Sequence, residues 1–142
     1  MSKIFFDANI LLDILLPSRP NHKKALEVYV SICDTYDVLA TSENILTTVE
    51  YIASKNGTSC ETIGRFFTAL ESNFELYGFA DILKDSLSIY SEACIQHKKI
   101  DFEDLLQLQC AIHNECTTFI TEDKGIHKLD ANIEICSLET IC

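Results

Sequence analysis

Three aspartates in this chain sit where carboxylates can do chemistry. Asp7 ends the apolar run Ile4-Phe5-Phe6, Asp104 lies within IDFEDLLQLQ, and Asp123 follows TTFIT in Thr121-Glu122-Asp123. Carboxylates about 4 Å apart repel by roughly 4 kcal/mol per pair at an effective dielectric near 20. A convergence of three would therefore need a divalent cation between them. An oxygen-only ligand set without His or Cys suits Mg²⁺ or Mn²⁺. Such ions bind phosphate oxygens and activate water, which points to phosphoester hydrolysis. Each acid also has an ordinary local use. Asp7 can cap a helix beginning at residue 8, and Asp123 can cap a short helix after it. Asp101 makes a good N-cap, with Asp104 a first-turn acid favoured by the helix dipole.

The elements that would position these acids alternate along the chain. Strands are expected at 3–7, 37–41, 74–77, 117–121 and 133–136. Helices are expected at 8–16, 22–34 behind an Asn21 cap, 42–55 behind a Ser42 cap, about 59–72, 81–97, 102–115 and near 124–129. Asn56-Gly57 closes the helix that Ser42 caps, and Thr58 or Ser59 opens the next. Strands separated by helices imply α/β architecture, with a parallel sheet covered on both faces. In such sheets sites form beyond the carboxyl ends of the strands. That is where Asp7 and Asp123 fall, with Asp101 and Asp104 at a helix start three residues apart and on one face.

The bulk composition narrows the field. With 142 residues, 47% of them apolar, and only four Gly and two Pro, the chain fits one domain, 1–142, with a substantial core. No apolar stretch reaches the roughly 20 residues of a membrane span, and no signal-peptide pattern opens the chain. A soluble cytoplasmic protein is expected. Seven cysteines form no CxxC pair and match no zinc spacing, so they read as reduced, buried, small hydrophobes. The net charge of −11 argues against nucleic acid as a partner unless cations invert the local charge, and it makes a basic partner protein plausible. His22, His97, His113 and His127 are scattered and read as surface histidines. His97-Lys98-Lys99 reads as a solvated helix end that also stands where it can touch an RNA phosphate. Asp13 reads as a cap or surface acid, with a place at the site rim as the other option.

At the acids the chain resembles the PIN domain family, the ribonuclease fold of VapC-type toxins. The resemblance rests on F-F-D7-A-N9-I-L-L-D13, D101-F-E-D104-L-L-Q and F-I-T121-E-D123, and it covers nearly the whole chain. It implies a PIN-like α/β/α sandwich with a small, mostly parallel sheet flanked by helices. It further implies an Mg²⁺- or Mn²⁺-dependent endoribonuclease, the toxin of a type II toxin–antitoxin pair. Asp7, Asp104 and Asp123 would be the metal-binding acids, with Asn9 and Thr121 orienting them. The implied partners are RNA, an antitoxin protein that places an Arg in the acidic groove, and a second copy of the chain as a homodimer.

One feature departs from the family pattern. The family carries a Glu in the helix after the second strand, about six residues past a Ser or Thr. Counting from Ser42 lands on Thr48, with Glu43 and Glu50 the nearest acids. Two residues turn a helix by about 200°, so Glu50 is the family Glu only if Ser42 is the wrong anchor. Glu50 is carried as a catalytic candidate, with Glu43 or no acid as the other options. The alternative function is a PIN-like module, weak or inactive as an enzyme, that binds RNA or protein. An aspartate-nucleophile phosphatase would need an Asp two residues after Asp7, where Asn9 stands.

Overall fold

The computed structural model describes residues 1–127, 129 and 132–141. A five-stranded sheet runs in the order β3-β2-β1-β4-β5. Its strands are β1 (Lys3–Phe6), β2 (Val38–Ser42), β3 (Phe74–Tyr77), β4 (Thr118–Ile120) and β5 (Glu134–Cys136). Every neighbouring pair is parallel, so the sheet is wholly rather than mostly so. The described helices are α1 (Ala8–Leu15), α2 (His22–Thr35), α3 (Asn44–Lys55), α4 (Cys60–Asn73), α5 (Leu83–Ile95), α6 (Phe102–His113) and α7 (Lys124–His127). None among the described residues is long and apolar enough to cross a membrane.

The central position of β1 follows from its composition. Ile4, Phe5 and Phe6 are all fully buried, as a parallel strand covered on both faces requires. Phe5 stacks on its register partner Phe119 in β4 with ring centroids 5.2 Å apart. Phe6 meets Phe74 of β3 edge-on at 5.1 Å. From β1 the chain builds outward through β2 and β3 on one side, and β4 then returns to the other side. The carboxyl ends of β1 and β4 therefore flank the topological switch point, where an open α/β sheet leaves a crevice.

Local signals place the helix starts. Ser42 Oγ accepts the Ile45 N–H at 3.3 Å, Ser59 Oγ accepts the Thr62 N–H at 3.2 Å, and Asp101 Oδ1 accepts the Asp104 N–H at 3.0 Å. Gly57 closes α3 with φ of +84°, a conformation that favours glycine. Asn21 precedes α2 but makes no side-chain cap, and only its carbonyl receives the Ala25 N–H.

Two other expectations are corrected. Asp13 is neither cap nor surface: it is 3% exposed, and Arg19 Nε donates to its Oδ1 at 2.6 Å. The loop after Pro17 brings Arg19 back over the end of α1 to neutralise it. Of the cysteines, Cys110, Cys116 and Cys136 are buried as expected, while Cys33, Cys60 and Cys94 are free and exposed. Cys142 lies outside the described residues, as does residue 128, within the expected 124–129 helix.

Candidate active site

Asp7 leaves β1 with its own N–H donating to the Ile120 carbonyl of β4 at 3.1 Å, so the carboxylate hangs at the switch point. It is 5% exposed. Its Oδ1 accepts the Ala8 N–H at 2.8 Å, which is the helix cap, and its Oδ2 accepts the Thr121 hydroxyl at 2.7 Å. Burial pushes its pKa above the ordinary value, the two donors pull it down, and the charges of Asp123 and Glu103 push it up again. The same Thr121 oxygen accepts the Asp123 N–H at 2.9 Å. Asp123 Oδ1 accepts the Gly125 N–H at 2.7 Å, and a Cβ at residue 125 would stand 3.0 Å from that oxygen.

Asp104 comes in from the first turn of α6, set by the Asp101 cap. Its carboxyl is pushed up to about 8, first by burial, then by a hydrogen bond shared with the Asp123 carboxyl and by the charges of Asp123, Asp101 and Asp7. The caps read from the sequence coexist with contacts among the acids: Asp7 and Asp123 share the Thr121 hydroxyl, and Asp104 and Asp123 share a hydrogen bond. A cleft of about 270 Å³ opens here, lined among others by Lys99, Asp101, Asp104 and Asp123. Among the described residues no three or more His, Cys, Asp or Glu side chains are grouped so that they could hold a metal ion as they stand.

A family model described as the PIN domain matches residues 4–132. This chain belongs to the PIN domain family. Ribonuclease VapC1 from Aquifex aeolicus (strain VF5) is 28% identical to it over 143 residues, spanning 99% of this chain and 93% of that protein. Among solved structures, the toxin VapC20 (Rv2549c) of Mycobacterium tuberculosis, described as cleaving the sarcin-ricin loop, superposes with a TM-score of 0.71. It is 12% identical, with 87% of this chain and 92% of that one covered. VapBC2 from Rickettsia felis, bound to a DNA fragment from its promoter, gives a TM-score of 0.69 at 20% identity, covering 95% and 98% of the chains. At those identities the structures speak for the fold.

The remaining candidates of this PIN domain are placed differently. Asn9 is half-buried in the first turn of α1 and, among the described residues, makes no side-chain hydrogen bond to the acids, whereas Thr121 makes one to Asp7. Glu43 and Glu50 are both exposed. Among the described residues Glu50 makes no hydrogen bond to Asp7, Asp104 or Asp123. Thr48 faces α6 instead, and its hydroxyl donates to Glu103 Oε1 at 3.0 Å. Glu103 was not singled out from the sequence. Nothing in its spacing marks it; only the folded chain brings it to Thr48.

The surface histidines agree with the structure at residues 97, 113 and 127, all exposed. His22 is half-buried, with Nδ1 at 2.8 Å from the Asp13 carbonyl oxygen.

Proposed function

We propose that this PIN domain is a divalent-cation-dependent endoribonuclease and the toxin of a type II toxin–antitoxin pair, acting in the cytoplasm. The observation that supports the reading is that one Thr121 hydroxyl ties Asp7 to Asp123 at the switch point, with Asp104 sharing a hydrogen bond with Asp123. The donor set would suit Mg²⁺ or Mn²⁺: oxygen ligands alone, with burial and neighbouring acids raising the Asp104 pKa. Asp7, Asp104 and Asp123 would hold the ion, which when bound supplies charge neutralisation and an acidified water. The chain's own contribution is to fix the acids through Thr121, Ala8 and Asp101 and to keep Asp7 dry. Lys99, on the cleft wall, would meet a phosphate of the RNA.

Support for the ribonuclease reading comes from the relative named Ribonuclease VapC1. Support for an antitoxin comes from neighbours that are toxin–antitoxin complexes, among them one from Klebsiella pneumoniae. An acidic cleft of this kind would accept an antitoxin Arg, and a homodimer is proposed with it. The test is cleavage of single-stranded RNA by the purified chain with Mn²⁺ or Mg²⁺, abolished by chelation and by Asp7→Asn. Equal cleavage by Asp7→Asn would sink the proposal. Thr48, standing where the resemblance implies a Glu, favours a second reading: a non-cleaving module that binds RNA or protein. That reading calls for no tight Mn²⁺ binding in a calorimetric titration.

A further inference from the structure

A second cavity adjoins the acidic cleft where the chain passes from α5 to α6. It holds about 390 Å³, with apolar walls from Ile89, Ala93 and Ile100 and polar groups from Glu92, Gln96 and Lys98. Ile100 lines this cavity and the cleft alike, so the two share a wall. The turn ahead of Ile100 divides two lysines between them. His97 takes φ of +58°, unusual for a residue with a side chain, and this reverses the chain at the end of α5. The Lys98 N–H then donates to the Ala93 carbonyl at 2.8 Å, which holds Lys98 at the second cavity. Lys99, the next residue, lines the cleft.

The lining says what fits. Single-stranded RNA is recognised by splaying its bases out over apolar or aromatic surfaces and hydrogen-bonding their Watson–Crick edges. Ile89, Ala93 and Ile100 offer such a surface to a planar ring. Gln96 Nε2 donates to Glu92 Oε1 at 2.9 Å, which steadies a carboxylate that can only accept. Guanine presents two adjacent donors, N1–H and the N2 amino group, to one carboxylate, with O6 beside them for an ammonium. Adenine and cytosine set a single amino group next to a bare ring nitrogen, which a carboxylate repels. Uracil has one N–H between two carbonyls. The nucleotide next to one whose phosphate meets Lys99 has only Ile100 to cross to reach Glu92 and Lys98.

We propose that this cavity is a guanine subsite for RNA beside the cleft, with Glu92 reading the base edge, Gln96 steadying Glu92, and Lys98 meeting O6. The proposal rests on RNA being the ligand, as read above, and adds the base that the chain selects.

The experiment has two arms. In one, the isotope-labelled full chain is titrated with guanosine, adenosine, cytidine and uridine 5′-monophosphates, and backbone amide shifts give site and affinity. The guanosine nucleotide is expected to shift the amides of Ile89, Gln96 and Ile100 and to bind ~10-fold more tightly than the others. Glu92→Gln is expected to remove that preference. Glu92 is exposed, so the fold does not depend on it, and its loss as a mere charge would tighten all four nucleotides. An equal response to all four, or guanosine shifts elsewhere on the chain, overturns the proposal. In the other arm, cut sites in single-stranded RNA of random sequence are mapped with Mn²⁺ for wild type and Glu92→Gln. Guanine is expected at one fixed offset from the wild-type cut and at background in the variant, with Mn²⁺ affinity unchanged. Cleavage without base preference, or the same guanine preference in both proteins, overturns the subsite and leaves the ribonuclease standing. Guanosine nucleotide bound at the cavity with no RNA cut by the wild type upholds the subsite and sinks the ribonuclease reading instead.

Discussion

Thr121 serves two acids with one hydroxyl: its hydrogen goes to Asp7 Oδ2 at 2.7 Å, and its oxygen accepts the Asp123 N–H at 2.9 Å. The ends of β1 and β4 are thereby fixed to each other through a group that donates on one side and accepts on the other. Thr121→Val keeps the shape but leaves the buried Asp7 carboxylate with the Ala8 N–H alone. Its cost is expected to be about 1–3 kcal/mol, read as a lower urea midpoint. Mn²⁺ affinity is expected to fall by ~10–100-fold. Thr121→Ser, which retains the hydroxyl, should keep both near wild type. A valine variant with unchanged Mn²⁺ affinity would remove Thr121 from the site.

Asp104 lets the metal-free and metal-loaded proteins be told apart by sign. Without an ion, burial and the neighbouring Asp123, Asp101 and Asp7 oppose its charge. Asp104→Asn keeps the side-chain shape and removes the cost of burying an ionisable carboxyl beside three other acids, so the metal-free thermal midpoint at neutral pH is expected to rise. The further rise that Mn²⁺ gives the wild type is expected to vanish in the variant, because binding stabilises only the state that binds. Differential scanning calorimetry with and without Mn²⁺ reads both. A metal-free midpoint below wild type would mean that Asp104 is held by favourable contacts rather than crowded by acids.

The same contrast explains which parts of the structure were legible in the sequence. Strand and helix alternation is written in local periodicity, so all five strands and the order of the helices could be read, with Phe74–Tyr77 placed to the residue. The sheet order is not spelled out in the sequence, and it is the adjacency of β1 and β4 that puts Asp7 and Asp123 at one switch point. Asp7, Asp104 and Asp123 were visible because each follows a strand or opens a helix. Asp13 was misread because its neutralising partner, Arg19, lies across a turn whose path depends on packing. Glu103 is hidden for the same reason: acids are common in first turns, and only the folded chain shows which of them meets Thr48. Cys33, Cys60 and Cys94 look apolar by type, yet face outward from α2, α4 and α5 because residue type does not set the face.

Gln107 offers a test on stability alone. Its buried amide lacks partners among the described residues, so replacing it with an apolar side chain of similar size removes a desolvation cost and adds apolar burial. Gln107→Leu is expected to stabilise the metal-free chain by ~1 kcal/mol in urea unfolding. Destabilisation by the leucine would show that the amide is satisfied in solution.

The Asp13–Arg19 pair should behave in the opposite way, as structure without a part in the chemistry. Asp13's side chain is 4% exposed and Arg19's is 29%, so removing the arginine strands a buried carboxylate. Arg19→Met is expected to cost about 2–4 kcal/mol, somewhat below the loss of a fully buried pair because Arg19 keeps contact with water. Replacing both, as Asp13→Leu/Arg19→Met, is expected to recover most of that cost, since two well-packed apolar groups need no neutralisation. A double-mutant cycle in urea measures the coupling. Mn²⁺ affinity should stay at the wild-type value in Arg19→Met, because the pair anchors the far end of α1 and the Asp7 cap is held separately by Ala8 and Thr121. An equal loss in single and double variants would mean that Asp13 needs no partner, and that the cost lies in the packing of the Arg19 stem.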